Sequence, residues 1–156
     1  MWGHPKEIVQ RLQTIASSPE PPAEGEIAKA FPLICLFTDI PVTMNTPIGF
    51  NGTARLQIII ANATEQNLLA PERLEKNFKP VLRPIKKEFL RQVGLYSTFS
   101  FPELPRHTEI ERYYWGRQGL YGNEGNILND YVDCIEIENL EVRIKNDTCF
   151  TSKKNF

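Results

Sequence analysis

Two histidines, three cysteines and no long apolar run leave this 156-residue chain few routes to common chemistries. Nucleophilic catalysis needs a base beside the nucleophile, yet His4 lies next to the terminus and His107 in a Pro-bounded loop, neither within a catalytic motif. No Cys-x-x-Cys or His-x-x-x-His spacing offers a zinc site, and the sequence calls for no cofactor. Cys35, Cys134 and Cys149 are odd in number and far apart, which argues against a secreted disulfide framework. Cys35 and Cys134 sit in apolar stretches and read as buried thiols, with Cys149 the more accessible. No run approaches the ~18 apolar residues of a membrane span. The start, Met1 to Glu7, leads into an amphipathic pattern instead of a signal-peptide core, so the expected location is the cytoplasm. A net charge of −1 removes the basic excess that drives non-specific binding to nucleic acid or anionic membranes.

What is present suits a packed core: 41% hydrophobic and 24% charged residues, close to globular averages. The length fits one domain, 1–156, with a Pro-rich linker at 19–26 and a flexible tail at 147–156. Ile8, Val9, Leu12, Ile15 and Ala16 recur on one face of a first helix. Phe31 to Phe37 has the length and residue types of a strand buried on both faces. Ala54, Leu56, Ile58 and Ile60 alternate with Arg55 and Gln57 as a second strand, pairing with the first around a long loop. Leu74, Phe78, Val81, Leu82, Ile85, Phe89 and Val93 form the stripe of a long helix that Gly94 should end. Pro80 and Pro84 inside it predict a kink or two shorter helices, since an uncompensated proline costs ~3 kcal/mol. Leu95 to Phe101 reads as a further strand. In the last stretch Ile135 and Ile137 face one way while Leu140, Val142 and Ile144 resume out of phase, which calls for a bulge or tight turn at Glu138-Asn139. The expected fold is α+β: a mainly antiparallel or mixed sheet of about four strands, packed by an N-terminal helix and a longer kinked helix.

Three segments carry possible function. Asp130, Asp133 and Glu136 are spaced by three; on a helix they would share a face able to hold a divalent cation, and on a strand they would not. Leu128 to Asp133 looks a little like the paired-aspartate segment of small Holliday-junction resolvases, so a metal-dependent nuclease is the enzymatic alternative. The loop from Arg117 to Asn126 has glycine at every third position but lacks the Lys-Ser or Lys-Thr of a phosphate-binding loop. A loop that orders against a partner fits it better, with Arg117, Tyr121, Asn123 and Glu124 as contact candidates. Lys76, Lys79, Arg83 and Lys86 make the long helix basic, while the region from Glu124 to Asp147 is mainly acidic, a pattern suited to complementary subunits or simply to a solvated helix face. Tyr113, Tyr114 and Trp115 read equally as core residues or interface anchors.

Phe31 to Phe37 after an amphipathic first helix, the strand Leu56 to Ala61, the helix with Leu82-Arg83-Pro84-Ile85, and Asp133 to Leu140 together resemble small tail-terminator or tail-completion proteins of tailed bacteriophages. The likeness is one of element order and pattern. It implies a virion protein without catalytic residues, assembled in the bacterial host cytoplasm. Such subunits form a ring, typically hexameric, that caps the tail tube and meets the head-proximal neck proteins. DNA passes through such a ring without specific recognition, and no membrane is involved. The Pro-rich linker and the double-proline helix depart from that pattern.

Overall fold

A computed structural model describes residues 2–4, 7–8, 10–11, 31–44, 52–65, 67–96, 99–101, 106–115 and 131–144, with Phe99 and Ile144 by backbone alone. The linker 19–26, the loop 117–126 and the tail 147–156 lie outside these residues, as do Asp130 and Cys149.

Two long strands form the centre. β4 (Gly52–Ala63) and β7 (Val132–Ile144) pair antiparallel along nearly their whole length. Each is flanked on its outer side by two shorter segments, placed end to end. β2 (Leu33–Phe37) and β3 (Val42–Met44) line β4, and β5 (Phe99–Ser100) and β6 (Thr108–Arg112) line β7. β1 (Trp2–Gly3) adds outside β2 and is its only parallel neighbour, so the described strands make one seven-stranded mixed sheet. The α+β class is as expected. The sheet has more and shorter edge strands than the four anticipated.

The phase switch in β7 is a bulge. Leu56 faces Leu140 and Ile58 faces Ile137, so two steps on β4 match three on β7. Asn139 takes up the extra residue in the left-handed region, φ 56°, which Asn tolerates better than most side chains. Ile135, Ile137, Leu140 and Val142 therefore all reach the core.

On one face of the sheet lies a single helical run: α1 (Ala70–Arg73), a π-helical segment (Leu74–Leu82) and α2 (Arg83–Leu95). Pro71 stands in its first turn, and the Glu72 carboxylate accepts a hydrogen bond from the Leu69 amide at 2.9 Å. The discontinuity expected at the prolines takes the form of the π segment. The Arg83 amide bonds back five residues to Phe78, and this wider turn lets Pro80, which has no amide to give, pass without breaking the run. Gly94 does not end the helix. It lies inside α2 where the Phe101 ring approaches to 3.2 Å of the point a Cβ would occupy, so its smallness serves packing. The strand expected over 95–101 shrinks accordingly to β5.

Two apolar clusters result. Phe78 and Leu82 of the π segment pack on Ile58, Ile60, Ile135, Ile137 and Leu140. On the opposite face Ile8 and Trp115 cover Cys35, Phe37, Ile59, Ala61, Val132 and Cys134. β2 is thus fully buried on one face only: Cys35 and Phe37 are sealed, but Ile34 and Leu36 on the helix side are half-buried. The helix packs on β4 and β7 and reaches β6, leaving β2 only partly covered, contrary to the expectation of burial on both faces. Among the described residues, no helix is long and apolar enough to cross a membrane.

Candidate functional site

Asp133 is the most committed of the candidate residues. It is buried on the helix side of β7, where Oδ1 accepts from Arg73 Nη1 at 2.7 Å and from the Tyr114 amide at 3.3 Å, and Oδ2 accepts from Asn77 Nδ2 at 3.1 Å. Asn77 in turn accepts from Asn62 at 2.8 Å. Arg73, 1% exposed, also donates from Nε to the Leu68 carbonyl and from Nη2 to the Glu65 carbonyl, and stacks 4.1 Å above the Tyr114 ring. A buried carboxylate is tolerable only when so satisfied. This network joins the helix start to β7 and to Tyr114, which is held at φ 55°.

Glu136 lies on the other face, because strand positions three apart point opposite ways. Its Oε2 accepts from Arg112 Nε at 2.5 Å. Asp133 and Glu136 hence do not share a face as a helical reading would have them. Among the described residues, no three His, Cys, Asp or Glu side chains converge on a metal position.

The basic helix face is occupied within the chain. Arg83 donates two hydrogen bonds to Glu111, at 2.8 and 3.1 Å, and Lys86 reaches Glu109 at 2.7 Å. Lys79 pairs with Glu75 one turn away, while Lys76 has no ion-pair partner among the described residues. The complementary carboxylates at this exposed face therefore come mainly from β6, while from the acidic region beyond residue 124 Asp133 pairs with buried Arg73. His107 is not a free loop residue; its Nε2 lies 2.9 Å from Glu109, and its side chain is 19% exposed. Burial raises the Glu109 carboxyl, but hydrogen bonds from Lys86 and His107 outweigh that, leaving it below the usual carboxylate range.

The aromatic trio divides. Trp115 is core, Tyr114 belongs to the Asp133 network, and Tyr113 remains exposed with its ring edge-on to Phe78 at 5.5 Å. Arg117, Tyr121, Asn123 and Glu124 lie outside the described residues.

The surface that the sequence did not flag is the β1–β3 edge. Trp2 pairs with Leu36, Val42 with Ala54 and Met44 with Gly52, which puts all three on the helix side beside half-buried Ile34, Leu36 and Leu56. Trp2 is 71% exposed, Val42 47% and Met44 59%. The cause is simple geometry. Five strands at a spacing of ~4.8 Å span about 24 Å, whereas one helix is ~10–12 Å across. The run Val42-Thr43-Met44 after Pro41 held the only signal, a short β-prone segment without charge.

Comparison with protein-family models, curated proteins and solved structures found no match for the chain.

Proposed function

We propose that the chain is a structural assembly subunit, a phage tail-terminator or neck ring protein that joins the tail tube to the head-proximal connector. The observation carrying this reading is how the ionisable groups are used. Asp133 and Glu136, the best chemical candidates among the described residues, point to opposite faces and are each taken up by an internal arginine. What remains at the surface is suited to contact: an uncharged apolar edge on one side and a rail of ion pairs on the other. In this role the subunit needs no cofactor, forms a ring with copies of itself and acts in the virion.

The test is mass by light scattering and particle imaging, alone and with the tail-tube protein encoded beside it. Rings or capped tubes are expected. Monomers in both conditions would contradict the reading, and so would Mg²⁺- or Mn²⁺-dependent cleavage of branched DNA that Asp130→Ala abolishes.

A further inference from the structure

We infer that copies of this chain join head to tail, the β1–β3 edge of one copy receiving the Leu95–Tyr96 corner of the next; this rests on the assembly reading above. Seven large hydrophobic side chains stand exposed among the described residues, and five of them fall in two regions of the sheet and helix. Trp2, Val42 and Met44 make the first. Leu95 and Tyr96, 66% and 65% exposed at the end of α2, make the second.

The sheet sets Met44 and the Leu95–Tyr96 corner at its opposite sides and toward the same end of the long strands, while Trp2 lies further along, on the row of Ile58. Met44 pairs with Gly52, Gly52 with Ile144, and Ile144 with Phe99, three residues after Tyr96. One row of four strands therefore runs from patch to patch. Two different, uncharged patches on opposite sides of a subunit are what a heterologous contact requires, and such contacts propagate until the rotation closes a ring.

The edges differ in protection too. β6 carries Glu109, Glu111 and Arg112, charges of the kind that keep an edge strand from pairing with another chain, whereas Val42-Thr43-Met44 has none. Among the described residues β3 pairs on one side only, and its other edge can accept both backbone and apolar contacts.

The areas favour a second copy in a closed array over an isolated dimer. From their exposed fractions, Trp2, Val42 and Met44 offer roughly 350 Å², under half of the ~800 Å² that each partner of a standard interface buries. A lone pair would dissociate readily. A ring, in which each copy is held on both sides, gains from effective concentration.

Two double variants test this: Val42→Asp with Met44→Asp, and Leu95→Asp with Tyr96→Asp. All four residues are exposed, so each variant should melt like the parent. Each alone should associate at least tenfold more weakly. Mixed together, each still carries one intact patch, so the mixture should show only weak, readily dissociating two-subunit complexes and nothing larger. If the parent assembles and either variant assembles equally well, this contact is wrong while the assembly reading stands. A parent that stays monomeric even with the tube protein removes both. If the second variant alone forms stable dimers, the β1–β3 edge pairs with itself and the head-to-tail arrangement is refuted.

Discussion

The two sides of the sheet are finished in opposite ways. Along β6 and the neighbouring end of β7, every described carboxylate facing the helix has a cation: Asp133 has Arg73, Glu111 has Arg83, and Glu109 has Lys86. Along β1 and β3 the exposed residues are Trp2, Val42, Thr43 and Met44, without a charge among them. The contrast follows from one helix on a sheet about twice its width. The covered side could be closed by polar and ionic links to the helix. Among the described residues the other side has no ion pair to the helix, and Trp2, Val42 and Met44 stay exposed.

The sharpest way to break the covered side is Asp133→Ala. It strands the Arg73 guanidinium in the interior, and losing one member of a buried pair costs about 3–5 kcal/mol. Urea unfolding should show this loss. Replacing Arg73 by Met as well should recover part of it, because the unpaired charge is then gone. A cost below about 1 kcal/mol for Asp133→Ala would mean that the network is not the joint between helix and sheet.

The exposed pairs should matter far less. Arg83→Ala is expected to cost little and Lys86→Ala at most ~1 kcal/mol, and both effects should shrink in high salt. Their effect on pH dependence has a definite sign. Glu109 is held below its ordinary range, so its contribution is present above the unfolded value and is lost as pH falls through the folded one. Carboxyl titration by NMR should place its midpoint below the ordinary glutamate range in the parent. In Lys86→Ala the midpoint should move upward; an unchanged midpoint would detach Glu109 from Lys86.

Smallest in energy, but clear in readout, is the thiol test. Burial pushes the Cys35 thiol up to about 11 and raises Cys134 further, so both should resist labelling until the chain unfolds. Rapid native labelling of either would show that the face under Ile8 and Trp115 opens easily.

Much of this was legible because periodicity reports burial. The apolar stripe gave the long helix, and the phase change at Glu138-Asn139 gave the bulge that Asn139 forms. The prolines announced a discontinuity, although i→i−5 bonding around Pro80 absorbs it within one run. Pairing between distant segments was not legible. Nothing local links Arg73 to Asp133 or Arg83 to Glu111, so the basic helix looked like a free surface. The β1–β3 edge escaped for the same reason: whether Val42 and Met44 are covered depends on how far the helix reaches across the sheet, which no short window of sequence contains.

The account turns on the bare side meeting the opposite side of another copy, and cross-linking between two single-cysteine variants probes that contact directly. Met44→Cys and Tyr96→Cys would be made in a Cys149→Ser background, with Cys35 and Cys134 left buried, and oxidised separately and as a mixture. The account predicts a Met44→Cys to Tyr96→Cys disulfide in the mixture and little product from either variant alone. Cross-links only between like variants, or none while the protein is assembled, would contradict it.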